Sequence, residues 1–205
     1  RDLKLDLPSG WHELQPGGIS IFSKYPIHQL KNVTGMHLPD TWPRNSLLPS
    51  IIESPFGNIA FNGIHLPTAR FGILNMLDRR MGINPFKTDV LARETENRWH
   101  VTKQARAAVD TQQLPCIIAG DFNMPVESRM YQEFWADLNN AFDSAGRGYN
   151  WTSSEHLHGL AVHIRVDHIL TRNGAMPMTA EVANSVSSDH LPVVADILIP
   201  ATDRP

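Results

Sequence analysis

Histidine, aspartate and asparagine gather in four short stretches, each where an apolar run ends or is about to begin. Side chains of these types bind phosphate, hold hard cations and move protons. In Gly63-Ile64-His65-Leu66-Pro67 a strand-like run ends in a histidine and is stopped by a proline. In Ile117-Ile118-Ala119-Gly120-Asp121-Phe122-Asn123 an apolar strand ends in a glycine, then in a carboxylate and an amide. Extended side chains alternate with period two, so Asp121 and Asn123 are expected to point one way and Phe122 back into the fold. A carboxylate beside an amide oxygen suits Mg²⁺; an Asx-type turn closing the strand would use the same two residues.

The third stretch, Arg165-Val166-Asp167-His168-Ile169-Leu170, sets a charge inside an otherwise apolar strand. An inward carboxylate is costly unless paired, and a histidine is a suitable partner for Asp167. His168 faces the other side of that strand and reads as structural. In the fourth, Ser188-Asp189-His190-Leu191-Pro192, adjacent acid and imidazole can splay around one phosphate from a loop, Asp189 toward a metal and His190 toward a phosphate oxygen or water.

These stretches need strands to hold them. Short β-branched runs between Pro, Gly and Asn predict strands at Ile19–Phe22, Ile51–Glu53, Ile59–Ile64, Cys116–Ala119, Val166–Leu170 and Val193–Ile199. Pro49, Pro55 and Gly57 punctuate a hairpin, and Gly146-Arg147-Gly148 marks a turn or a mobile loop. A long helix is expected between about Thr88 and Val109, with Thr88 as N-cap and Glu94–Arg98 as an i,i+4 pair. Arg98 and Arg106 read as its solvated face. A second helix starts near Ser128 and turns Tyr131, Phe134 and Trp135 inward. The segment Phe71 to Lys87 reads either as a pocket-shaping loop with a short helix or as an ordinary connection.

A length of 205 residues suits one domain spanning 1–205. With 41% hydrophobic and 19% charged residues the composition is that of a globular protein. No apolar run approaches the roughly 18 residues of a membrane span, and residues 1–10 lack a signal-peptide core. The net charge of −3 and pI of about 6.4 argue against a dedicated duplex binder, which carries a basic face. Cys116 lies in an apolar run and reads as a core thiol. His156, His158 and His163 lack the cysteine partners and spacing of a zinc site. Arg70 is either a phosphate clamp or a loop arginine, and Trp151 either lines a pocket or packs.

His-x-Pro, Gly-Asp-Phe-Asn, Asp-His-Ile and Ser-Asp-His-x-Pro, in that order, resemble the endonuclease/exonuclease/phosphatase superfamily of DNase I-like enzymes. Ser23-Lys24-Tyr25-Pro26-Ile27 is similar to its Ser-Arg-Tyr-Pro-Ile element, with Lys for Arg. The resemblance runs from Gly18 to Ile199. It implies a four-layer α/β sandwich of two packed mixed β-sheets flanked by helices, here without the family's first strands. It also implies a Mg²⁺- or Mn²⁺-dependent phosphoesterase. By the resemblance, Asp121 orients or deprotonates the attacking water, Asn123 holds water, phosphate or metal, and His190 binds the phosphate. Asp167 orients His190, His65 contacts the phosphate or leaving group, and Asp189 joins Asp121 and Asn123 in the metal shell.

Family members place an asparagine and a metal-binding glutamate tens of residues ahead of that element, whereas only 22 residues precede Ser23. Glu13 lies too close to the Ile19–Phe22 strand to serve, so the chain is expected to be truncated at its N-terminus, with weakened metal binding. Three functions stand open: hydrolysis of a small or lipid-linked phosphate ester or pyrophosphate, a nuclease acting on DNA or RNA, and a binding module that has lost its chemistry. The expected setting is the cytoplasm, or the outer face of an anchored protein.

Overall fold

A computed structural model describes residues 8–30, 46–68, 85–157 and 160–201. In chain order these form β1 (His12–Leu14), β2 (Ile21–Ser23), β3 (Ile27–Gln29), β4 (Leu47–Ser54), β5 (Gly57–His65) and α1 (Pro85–Asp110). There follow β6 (Cys116–Asp121), α2 (Arg129–Phe134), β7 (Asn139–Asn140), α3 (Ala141–Ala145) and β8 (Gly146–Arg147). The chain ends with β9 (Ser153–Leu157), β10 (Leu160–Ile164), β11 (Asp167–Arg172), β12 (Met176–Val182) and β13 (Val193–Leu198).

Two mixed sheets organise the fold. The larger runs β3-β4-β5-β6-β11-β7 and the smaller β13-β12-β8, with β1-β2 and β9-β10 as separate ribbons. Within the larger sheet β5 and β6 are parallel, whereas β4–β5 and β6–β11 are antiparallel. Alternation along β5 and β6 gives the larger sheet two apolar faces. Ala60, Ile64, Ile118 and Leu170 join Val101, Ala105, Ala108 and Val109 of α1 and Trp135 in the main core. On the other face Leu48 and Phe61 pack with Ile19 and Ile21 in a smaller cluster. A Cβ on Gly63 would stand 2.6 Å from Ile19 Cγ2, so this close packing needs a glycine.

Each strand expected from sequence is present, usually longer: the Ile51–Glu53 run extends to Leu47–Ser54 and includes Pro49. Pro49 is tolerated there because what it contributes is an acceptor, its carbonyl taking the Leu30 N–H at 2.9 Å. The long helix begins at Pro85 rather than at Thr88, with proline in the first turn where a missing N–H costs nothing. Ser128 caps α2 by accepting the Tyr131 N–H, and Tyr131 and Trp135 are buried as expected. Gly146 and Arg147 form a short strand beside β12 rather than a turn. Cys116 is buried, and burial pushes its thiol up to about 12, which suits a core residue. Arg70, His158 and the segment 71–84 lie outside the described residues.

Candidate active site

Register builds the site. In the parallel pair β5–β6, His65 is opposite Asp121; in the antiparallel pair β6–β11, Asp121 is opposite Asp167. Directly opposed residues share a sheet face, so an imidazole and two carboxylates form one row across three adjacent strands. His65 Nε2 lies 3.9 Å from Asp121 Oδ2. Gly120, one residue before the row, has φ of +143°, and a Cβ there would come within 2.1 Å of the Ile64 carbonyl oxygen. Glycine is therefore what lets β6 approach β5 at this point.

His190 joins the row from the loop between β12 and β13. Its Nδ1 lies 2.7 Å from Asp167 Oδ2, and Asp121, Asp167 and His190 offer ligand-type atoms all within 4.8 Å of one another. Backbone bonds hold the loop in place: the Leu191 N–H donates to Thr152 O at 2.7 Å, and Ser153 bridges to His190. Thr152 is fully buried, and its hydroxyl accepts the N–H groups of Val166 and Asp167 at 3.1 and 3.2 Å. The same short segment thus fixes both ends of the Asp167–His190 pair. Asp189 is exposed and stands outside the close group of Asp121, Asp167 and His190.

Beyond Asp121 the strand stops, so Asn123 does not continue its alternation. Its φ is +51°, the left-handed region that asparagine tolerates better than most residues. Its backbone N–H donates to Asp121 Oδ1 at 2.7 Å, and its Nδ2 to Asp121 Oδ2 at 3.0 Å and Leu66 O at 2.8 Å. An Asx turn and a carboxylate–amide pair thus coexist in these residues. Phe122 points into the core with no exposed surface, edge-on to Trp135 and His168.

The electrostatics separate the two histidines of β11 and its neighbouring loop. Burial holds the His168 imidazole down at about 4, neutral at physiological pH, with Nε2 3.0 Å from Met124 O and Nδ1 3.3 Å from Asn140 Nδ2. Burial also opposes the charge on His190, but the charge and hydrogen bond of Asp167 outweigh it and raise its pKa above the ordinary histidine value. Asp121 is raised above the carboxylate range, first by burial and then by the charge on Asp167; the Asn123 N–H and both site histidines offset only part of this. Two carboxylates so close together suit a divalent cation, which relieves their repulsion.

Trp151 stacks against His163 with ring centroids 4.6 Å apart. With Arg147, Tyr149 and Glu181 it lines a groove of about 450 Å³. Leu191 separates that groove from a cleft of about 310 Å³ containing Asp167 and His190. Two arginines read from sequence as solvated are not. Arg106 binds Asp110 and Asp137 at 3.0 and 2.5 Å, and Arg98 turns to backbone carbonyls beneath the site. Thr152 and Arg98 escaped the sequence reading because their partners are remote in the chain; the signal available for Arg98 was its place on the buried stripe of α1.

The model of the endonuclease/exonuclease/phosphatase family matches residues 5–190, and the chain belongs to that family. Among solved structures it is similar to the 3′ phosphatase NExo from Neisseria, solved with a product DNA hairpin (18% identity, 91% of this chain, 79% of that one, TM-score 0.59). It is also similar to beta toxin from Staphylococcus aureus (20%, 88% and 67%, 0.58). A third is the mannosyl-6-phosphatase of Bacteroides thetaiotaomicron (14%, 93% and 78%, 0.53). These likenesses establish the shared DNase I-like fold of two packed mixed sheets. Against several other solved structures the chain spans only about half of their length, at 55%, 54% and 53%. No curated protein matches it significantly by sequence.

Proposed function

We propose that this domain is a divalent-metal-dependent phosphoesterase that cleaves a phosphate ester or pyrophosphate by in-line attack of an activated water. The observation that carries this is the Asp167–His190 hydrogen bond of 2.7 Å beside the buried carboxylate of Asp121. With Nδ1 committed to Asp167, His190 offers Nε2 to a substrate oxygen. The Asp167 carboxylate raises its pKa and so favours the imidazolium, which would donate from Nε2 to a non-bridging oxygen as charge develops. Asp121 orients the attacking water and takes its proton. Asn123 fixes Asp121 through two hydrogen bonds and leaves its amide oxygen as a further acceptor. His65 stands on the other side of Asp121 and would contact the phosphate or leaving group.

Asp121 and Asn123 would hold Mg²⁺ or Mn²⁺, and Asp189, which stands outside the close group of Asp121, Asp167 and His190, would join them only with a shift of its loop. When bound, such an ion neutralises charge on the phosphoryl oxygens. A small or lipid-linked phosphate is favoured over nucleic acid by the charge of −3 and pI of about 6.4. Two fold relatives are phosphatases by name, of a 3′ end and of a mannosyl phosphate. No helix among the described residues is long and apolar enough to cross a membrane.

The test is hydrolysis with Mg²⁺ or Mn²⁺ across inositol phosphates, sugar phosphates, phospholipids, lipid pyrophosphates, RNA, and intact and abasic DNA, each beside His190→Ala. Metal-dependent turnover of one class, abolished by the substitution, is the expected result. Turnover confined to DNA or RNA makes the enzyme a nuclease. Silence on every substrate, with metal bound and the fold intact, replaces the enzyme with a binding module.

A further inference from the structure

The buried face of α1 repeats at Val101, Ala105 and Ala108, and the helical period puts Arg98 next on that stripe, one turn toward the N-terminus. An apolar residue is expected there, and a guanidinium stands in its place. Its Nε donates to Pro67 O at 2.9 Å, in the turn that follows His65. Its Nη2 donates to Asn123 O at 3.0 Å, in the turn that follows Asp121. The two turns also touch each other, the Leu66 N–H donating to Asp121 O at 2.9 Å and Asn123 Nδ2 to Leu66 O at 2.8 Å.

We infer that Arg98 is a positioning residue: one guanidinium fork, anchored in the core helix, fixes the spacing between the turn carrying His65 and the turn carrying Asp121 and Asn123. It touches no reacting atom itself. Burial lowers its pKa while the charge of Glu94, one turn back, opposes that change. A partly desolvated charge of this kind needs its hydrogen bonds satisfied, so the fork holds the carbonyls as firmly as the carbonyls hold the fork. Arginine is suited to this because its planar fork presents separate donors in fixed geometry, whereas the lysine ammonium is a point charge on a flexible stem. An i,i+4 pair with Glu94 on a wet helix face would leave both turns untouched.

The kinetic consequence rests on the phosphoesterase reading; the structural one does not. The experiment compares wild type, Arg98→Lys and Arg98→Ala, well below their melting temperatures, by two readouts. In hydrogen exchange, the amides of Leu66 and Phe122 should exchange at least about tenfold faster in Arg98→Ala, while those of Val101 and Ala105 keep their protection. Arg98→Lys, able to reach one carbonyl at a time, should lose protection at one turn or partly at both. In turnover, kcat should fall roughly 10- to 100-fold in both variants with KM changed less than about threefold, the signature of misaligned groups rather than lost binding.

Unchanged exchange at Leu66 and Phe122 in Arg98→Ala overturns the inference. So does full activity in Arg98→Lys, since charge alone would then suffice. A wild type inactive on every phosphate ester sinks the functional reading instead, and exchange then decides the role of Arg98 by itself.

Discussion

The two sheets of this domain differ in how their faces are covered. In the larger sheet, β11 alternates between buried His168 and Leu170 on one face and half-buried Asp167 and Ile169 on the other. In the smaller sheet, β13 exposes Val194, Asp196 and Leu198 and only half-buries Val193, Ala195 and Ile197. Met176 and Met178 of β12 are more than half exposed as well. The site straddles this difference. His65, Asp121 and Asp167 are fixed by strand register in the well-packed sheet, while His190 hangs on the loop that enters the loosely covered one. Packing therefore places the carboxylates, and hydrogen bonds must place the second histidine.

The largest effect should come from cutting that join. Asp167→Ala leaves the fold and the position of Asp121 intact but frees the His190 ring, and kcat should drop about a thousandfold, within the usual range for a lost acid–base partner. His190→Ala should cost a similar factor, and the double variant little more than either single one, because the two act as a unit. Steady-state kinetics on the three variants decide the matter. Additive losses would mean that the two residues work independently and that the seam between the sheets has no catalytic meaning.

Packing on the covered side should matter in a different measurement. Phe122 is fully buried between Trp135 and His168, directly under the Asp121–Asn123 turn. Phe122→Ala should lower unfolding free energy by about 3–5 kcal/mol in urea titration, the usual cost of a large cavity. A cost below about 1 kcal/mol would show that the core under the site collapses freely, and the contrast between the sheets would fail.

How far these features were legible depends on whether their causes are local. The ends of β5 and β6 were readable because an apolar run, a glycine and a carboxylate follow one another in the chain. Phe122 was rightly expected to point inward, since period two is a local rule. That His65, Asp121 and Asp167 form one row is a matter of register between strands from distant parts of the chain, which no local pattern encodes. β12 was missed because Pro177 interrupts a run, Met176 to Val182, whose apolar residues otherwise keep period two, and the structure places a register shift between Pro177 and Thr179. Arg98 was misjudged because its neighbour Glu94 satisfied a local rule while its true partners sit 31 and 25 residues away.

Asp121 tests the covered side through charge. Because its pKa is raised in the fold, the folded state binds a proton more tightly than the unfolded chain does. Ionised Asp121 therefore destabilises the metal-free fold, and the penalty is fully present above its folded pKa. As pH falls through the folded value toward the ordinary carboxylate pKa of about 4, the penalty disappears. Asp121→Asn should abolish turnover yet raise the metal-free melting temperature by a few degrees at neutral pH, with the gain shrinking toward pH 4. Adding Mn²⁺ should then stabilise wild type more than the variant. A variant that melts lower at neutral pH would show that hydrogen bonds from Asn123 outweigh the repulsion by Asp167.

The smallest effect belongs to the exposed sheet. Met178 sits at the register shift of β12, 57% exposed, with no partner residue in the β12–β13 pairing. An apolar side chain already in water has little transfer energy to lose, and a bulged residue contributes little to cross-strand packing. Met178→Ser should change stability by no more than about 0.5 kcal/mol, the range for surface substitutions, and leave kcat unaltered. Leu198, opposite Met176 on β13, has a cross-strand neighbour to lose, so Leu198→Ser should cost slightly more, up to about 1 kcal/mol. Urea titration of both resolves the order. Were Met178→Ser to cost as much as a core substitution, the face would be packed in solution, and His190 would owe its position to packing after all.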